Sequence, residues 1–373
     1  MKFTIERELL LETLQSVSKG LSQKTPMPIL TGIKIEVKDN KIIFITTNKE
    51  IAVKIELDQS DKVKLYESGI CIVPGKYFID IVKKVEGKEV AFTLFEESTI
   101  QILSDKSEFT LVAYDKNNFP ETRFAVTSEP ILFDSSELKK IIQQTSFACA
   151  TSESRIVLTS LNFKAKNGEL EIVATDSFRL AKKTSQLAEE VNVNVNVPSK
   201  SLEELNKILT DDSTFVKMYL ENSKAIFEYK NVVFITRLVE GNYPSTSSLF
   251  PKESLFEAVF NRTELINAVD RASLFTSLDN LSIVKFNFYD KTKAEISSNS
   301  SEIGKVVEDI ALINEIEDIK FQIAFSTKYL IEALRAFDTD QVVFCFTGEI
   351  KPTVIKNASK NDLIQLLLPV RVY

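Results

Sequence analysis

The chain has 373 residues, 44% hydrophobic and 27% charged, which suits two or three folded domains and excludes a disordered polymer. It contains no histidine, which excludes Ser-His and Cys-His dyads, imidazole bases and His-ligated metals. Its net charge of -7 means that any hold on nucleic acid must come from a local basic face or from something other than affinity.

The first seven residues alternate polar and apolar and lack the apolar core of a signal peptide. No uncharged apolar run is long enough to span a bilayer, so a cytoplasmic protein is expected. An opening strand at Phe3-Thr4-Ile5 leads to an amphipathic helix over 8–21, with Leu10, Leu14, Val17 and Leu21 on one face. Strands over 33–37, 41–47 and 51–57 follow, the first two joined by a turn at Lys38-Asp39-Asn40. A second strand-to-helix junction runs from Ile70 to Lys76. The third, at Ile131 to Glu137, opens a helix over 137–145. Strands over 161–165 and 170–174 come next, around Lys166-Asn167-Gly168. Further junctions end at Lys200, at Glu264 (with a helix over 264–275) and at Lys328; strands over 284–289 and 294–298 lie between the last two. Cys71, Cys149 and Cys345 are far apart and form no CxxC pair. Buried thiols are expected rather than a disulfide framework or a zinc site.

The six junctions end at residues 8, 76, 137, 200, 264 and 328, a steady interval that divides the chain into half-units of strand, helix and three strands. Landmarks of a doubled period recur. Val73-Pro74-Gly75-Lys76 matches Val197-Pro198-Ser199-Lys200 and Phe325-Ser326-Thr327-Lys328. Thr47-Asn48 matches Thr175-Asp176 and Ser298-Asn299, and Phe119-Pro120 matches Tyr243-Pro244. The pattern predicts an α+β chain of three tandem domains, at 1–124, 125–251 and 252–373, with antiparallel sheets each covered by two helices. The linkers near 125 and 252 are short and poor in glycine, which favours rigid stacking.

Lys76 and Lys83, Lys200 and Lys207, and Lys328 and Arg335 are each seven residues apart, nearly two helical turns, so each pair would share a helix face. A face that is basic three times suits DNA phosphates; lysines merely solvating exposed helices would give the same spacing. Asp176, Asp211, Asp212 and Glu240 show no convergent spacing for carboxylate catalysis, and no Walker or GxGxxG loop is present. A carboxylate-based hydrolase is therefore the weaker class of reading.

Three units of this length, carrying Ala174-Thr-Asp-Ser-Phe-Arg-Leu-Ala181, Glu240-Gly-Asn-Tyr-Pro244, Pro28-Ile-Leu30 and a terminal Leu368-Pro-Val-Arg-Val-Tyr373, resemble the β sliding clamps of bacterial DNA polymerase III over the whole chain. The resemblance implies a non-catalytic processivity factor without cofactor or metal. Three clamp domains would form a head-to-tail homodimeric ring, sheets outside and helices lining the hole around duplex DNA. Its partners would be a clamp loader, the replicative polymerase and repair proteins, bound through short peptides. The resemblance adds Lys24 and Arg155 to the DNA-facing residues and places Lys76 also near the subunit contact. It assigns the peptide cleft to Leu158, Thr175, Ser177, Phe178, Arg179 and Leu180, to Pro244, Ser248, Leu249, Ile350 and Pro352, and to Leu366, Leu368, Pro369, Val370 and Arg371. It assigns the dimer seam to Phe109, Leu274 and Phe275, residues that could equally be intradomain core. Ser177 stands where the family usually has glycine, Phe178 where histidine or another ring is common, and Ser248 where a basic residue often sits. These departures motivate the alternative of a clamp-like paralogue with altered partner binding.

Overall fold

The computed structural model describes residues 1–371 apart from 23, 97, 276–281 and 301–303. Six α-helices lie among them: α1 (Arg7–Val17), α2 (Gly75–Lys84), α3 (Ser135–Thr145), α4 (Ser199–Asn206), α5 (Arg262–Ser273) and α6 (Thr327–Arg335). Each follows directly on a strand and is followed by three more, so the strand, helix, three-strand half-unit is repeated along the chain. The first half-unit adds a strand, Val63–Glu67, which the pattern did not predict because it buries only Val63. Among the described residues no helix is long and apolar enough to cross a membrane.

The expected helix over 8–21 ends early. Leu10, Thr13, Leu14 and Val17 form its buried face. At Val17 the buried hydroxyl of Thr46 donates to the helix carbonyl at 2.5 Å. A tight 3₁₀ turn, Ser18–Gly20, follows, and Leu21 is extended. Gly20 is needed there: a Cβ would lie 2.4 Å from Thr46 Oγ1. Side-chain caps start α3 and α5. Asp134 Oδ1 accepts from the Ser136 N–H at 2.9 Å before α3, and Asn261 Oδ1 from the Glu264 N–H at 3.0 Å before α5. Two hairpins use the expected turn residues with left-handed backbone: Asp39 and Asn40 (φ 49° and 59°), and Asn167 and Gly168 (φ 53° and 78°).

The chain divides into two compact units, one of Met1–Lys139 with Lys200–Leu238, the other of Lys140–Ser199 with Val239–Tyr373. The first holds a five-stranded sheet ordered Val63–Glu67, Lys2–Glu6, Glu89–Phe95, Thr99–Ser104, Ser107–Val112. It also holds an eight-stranded sheet ordered Ile131–Asp134, Phe215–Glu221, Lys224–Tyr229, Val232–Arg237, Ile51–Asp58, Lys41–Thr47, Gly32–Lys38, Gly69–Pro74. At its middle, Val232–Arg237 pairs antiparallel with Ile51–Asp58, so strands of two sequence repeats share one sheet.

The second unit has the same plan. Its eight-stranded sheet is ordered Val193–Pro198, Ser160–Lys166, Glu169–Thr175, Arg179–Gln186, Leu363–Leu367, Thr353–Asn357, Gln341–Phe346, Phe256–Asn261. Arg179–Gln186 pairs with Leu363–Leu367, again joining two repeats. A four-stranded sheet runs Gly304–Ala311, Lys293–Ser300, Ile283–Phe288, Phe321–Ser326. Every strand pairing in the two units is antiparallel, as expected for this α+β pattern.

Four phenylalanines tie the two sheets of the second unit together. Phe256 and Phe346 come from the larger sheet, Phe288 and Phe321 from the smaller. Each ring meets the other three, with centroids 5.0 to 6.0 Å apart. Leu265 and Val269 of α5 and Leu330 and Leu334 of α6 close the same core. Cys71, Cys149 and Cys345 are buried. Burial pushes the Cys71 and Cys345 thiols up to about 12, which withdraws them from thiolate chemistry.

Candidate functional site

The sharpest local feature is the turn between strands Glu169–Thr175 and Arg179–Gln186. Thr175 Oγ1 donates to the Arg179 carbonyl at 2.6 Å and accepts from the Ser177 N–H at 3.2 Å. Asp176 Oδ1 accepts from the N–H groups of Phe178 at 2.9 Å and Arg179 at 3.0 Å. The first repeat builds the same turn. Thr47 Oγ1 donates to Ile51 O and accepts from Lys49 N–H, while Asn48 Oδ1 accepts from Glu50 and Ile51 N–H. The residue after the Asx is left-handed in both, with φ 78° at Lys49 and 79° at Ser177. The hydrogen bonds therefore impose the backbone that glycine would adopt without strain. Ser177→Gly is expected to raise stability by about 0.5–1 kcal/mol, the relieved strain exceeding the entropy gained by the unfolded chain. Urea unfolding checks it; a loss of stability would mean that the serine side chain outweighs the strain.

Arg179 anchors this turn from below. It is only 7% exposed. Its Nε donates to Asp176 Oδ2 at 3.0 Å, one terminal nitrogen to Glu332 of α6, and the other to the Phe147 carbonyl. The guanidinium also stacks over the rings of Tyr329 and Phe147, 4.2 and 5.3 Å from their centroids. Burial pushes the Tyr329 phenol up, with Asp176 adding to the shift and Arg179 opposing it. Tyr243 lies against the same turn and its hydroxyl oxygen accepts from the Thr175 N–H at 3.1 Å. Burial holds that phenol well above its usual range, so it stays neutral.

The residues that the resemblance assigns to a cleft differ in burial. Leu158, Thr175, Arg179, Leu180 and Leu366 are buried. Leu180 and Leu366 are cross-strand partners in one apolar cluster with Val173 and Val354, packed by Tyr243 and Phe250. Phe178, Leu249, Ile350 and Leu368 are large apolar side chains left exposed, 60%, 48%, 69% and 37% respectively. Ser177, Pro244, Ser248 and Arg371 are also exposed, and Pro352, Pro369 and Val370 are half-buried. The terminal segment is docked: the Leu368 N–H donates to the Phe178 carbonyl at 2.9 Å and the Val370 N–H to the Ala324 carbonyl at 2.8 Å. Ile350, Val370 and Arg371 continue into a hollow of about 390 Å³ that also touches Lys285, Gln322, Ile323, Ala324 and Glu349.

The basic residues fall in both units, and all eight are exposed. Lys24, Lys76, Lys83 and Lys200 border one open hollow of about 870 Å³ in the first unit, together with Lys19, Tyr77 and the carboxylates of Asp80, Glu203 and Glu204. Lys207 departs from the spacing argument: α4 stops at Asn206. The Ile208 and Leu209 N–H groups both turn back to the Leu205 carbonyl, and Lys207 pairs with Glu204 at 2.6 Å. In the second unit Lys328 and Arg335 both lie on α6, and Arg155 sits at a non-helical kink within Glu153–Thr159. Phe109 lies on the outermost strand of the five-stranded sheet and is half-buried. Leu274, just past α5, is 71% exposed, and Phe275 is half-buried. Among the described residues no group of three or more acidic or cysteine side chains is placed to hold a metal ion.

Sequence reasoning did not single out Phe147, Tyr329 and Glu332, which hold Arg179, nor Lys285 and Glu349 in the hollow. Tyr243 was visible only as the neighbour of Pro244. These residues meet through long-range packing and carry no local pattern.

Sequence models of the DNA polymerase III beta subunit match this chain three times: the N-terminal domain at residues 1–123, the central domain at 133–245 and the C-terminal domain at 247–371. Beta sliding clamps from Staphylococcus epidermidis and Staphylococcus aureus are 38% and 37% identical to it over 378 residues, covering 100% of this chain and of each relative. The DNA polymerase sliding clamp from Bacillus subtilis is 37% identical with a TM-score of 0.94, covering 100% of both chains. The DNA polymerase III beta chain from Streptococcus pneumoniae is 32% identical, also with a TM-score of 0.94 and full coverage of both chains. The chain thus belongs to the DNA polymerase III beta subunit family: it is a DNA sliding clamp, a processivity factor rather than an enzyme.

Proposed function

We propose that two copies of this chain close head to tail into a ring around duplex DNA in the cytoplasm. The ring tethers the replicative polymerase and repair proteins through short peptides seated in the cleft around Phe178 and Leu368. Each copy contributes three domains, at 1–124, 125–251 and 252–373, a division that the three family matches support.

The observation that carries the reading is a pair of open sheet edges in a clamp-family chain. Ser107–Val112 is outermost in its five-stranded sheet and Gly304–Ala311 in its four-stranded sheet. Val112 is 73% exposed and Val307 55%, with Leu274 also bare. Open apolar edges invite pairing. A heterologous contact that closes after two copies satisfies both edges without continuing into a filament.

Closure also explains the net charge of -7. A ring is retained by topology, so a few exposed lysines facing phosphates suffice. The acidic remainder discourages nonspecific binding. A clamp loader would dock a peptide in the same cleft and open the ring.

The test is retention. Protein loaded onto a nicked circular plasmid by its own loader and ATP is expected to stay on circles and to leave once the plasmid is cut. Equal binding to circles and lines, abolished by salt, would mean ordinary electrostatic association and would overturn the topological mechanism.

A further inference from the structure

We infer that partner peptides extend beyond the apolar cleft and place an acidic side chain in the hollow beside the terminal segment, between Lys285 and Arg371. The inference rests on the reading of the cleft as a peptide site and names what the peptide carries next to its apolar anchors.

The hollow of about 390 Å³ is large enough for one or two residues and is continuous with the cleft through Ile350 and Val370. It is built on a lateral ladder. Val370 donates its N–H to the carbonyl of Ala324, and Ala324 is the cross-strand partner of Lys285. The terminal segment therefore lies along the strand next to the one that carries Lys285. Arg371 is the residue after Val370, which brings a second cation to the same hollow.

Three charged side chains line this space: Lys285, Glu349 and Arg371. Glu349 is already engaged, since its Oε1 accepts from the Gln322 backbone N–H at 3.0 Å. Its charge also disfavours a chain of phosphates in so small a space. The half-buried Lys285 and the exposed Arg371 make no ion pair or side-chain hydrogen bond with any described residue. Two cations against one carboxylate leave the hollow net positive, and its walls, made apolar by Ile323, Ala324 and Ile350, favour one further carboxylate on a short aliphatic stem. A basic side chain would meet both cations. A neutral amide would gain only ordinary hydrogen bonds.

The experiment titrates the full-length protein with a short peptide bearing Leu and Phe anchors, with Glu or Gln placed in turn at each position flanking them. At one position Glu is expected to bind about fivefold to tenfold more tightly than Gln. Lys285→Gln should abolish most of that preference, and Arg371→Gln should reduce it. Lys285→Gln should bind the Gln peptide as the parent protein does, which confirms that the cleft is folded. Raising salt should shrink the Glu preference and leave the Gln peptide almost unaffected. Equal affinities for Glu and Gln peptides at every position, while both bind, would overturn the inference and leave the peptide cleft standing. A Glu preference that survives both substitutions would also overturn it. Failure of every peptide to bind would remove the cleft reading itself.

Discussion

Arg179→Ala is expected to lower the stability of the second compact unit by about 3 kcal/mol and to weaken peptide capture by tenfold or more. The guanidinium is 7% exposed and meets Asp176, Glu332 and the Phe147 carbonyl at once. Truncation leaves Asp176, whose side chain is 11% exposed, without its counter-charge, together with the half-exposed Glu332 and an orphaned carbonyl. It also removes the cation from the faces of Tyr329 and Phe147, worth about 1–2 kcal/mol at a desolvated site. Asp176 fixes the Phe178 and Arg179 amides, so its release loosens the turn that presents Phe178. Arg179→Lys should fall between, since one ammonium cannot span three acceptors in a planar fork. Urea unfolding and peptide titration of both variants check this. A change under about 0.5 kcal/mol for Arg179→Ala would show that the network is not coupled to folding.

Phe346→Ala is expected to cost about 4 kcal/mol, within the usual span for deleting a buried aromatic ring. Phe346 is fully buried and meets Phe256, Phe288 and Phe321, so its loss opens a cavity where the two sheets of the second unit join. Phe346→Leu keeps most of the volume and should cost much less, about 1–1.5 kcal/mol. Scanning calorimetry should show a lower melting transition for the unit that contains Phe346. An unchanged thermogram for the alanine variant would mean that the surrounding rings collapse into the space without cost.

The half-unit was legible because its signals are local. Strands such as Lys293–Ser300 bury alternate side chains, and turns carry Asp-Asn or Asn-Gly where positive φ is required. Helix ends were less legible. The stop at Val17 is made by Thr46, and the end of α4 before Lys207 by backbone turns that the seven-residue spacing does not encode. In the cleft, the Thr175-Asp176 turn announces itself by repeating Thr47-Asn48. Arg179 did not announce its partners: Glu332 is 153 residues away in sequence. Which strands share a sheet was not readable either, since pairing between repeats depends on edges that any amphipathic strand could supply.

Those shared sheets have a consequence for inheritance. Val232–Arg237 depends on the register of Ile51–Asp58, and Arg179–Gln186 on that of Leu363–Leu367. A repeat copied, exchanged or cut out at the sequence boundaries would carry away half of a ladder and leave the other half raw. The middle repeat, which owns one strand of each joint, is thus the least portable of the three. Joined in this way, the three repeats can differ in surface and composition, but none can be exchanged alone.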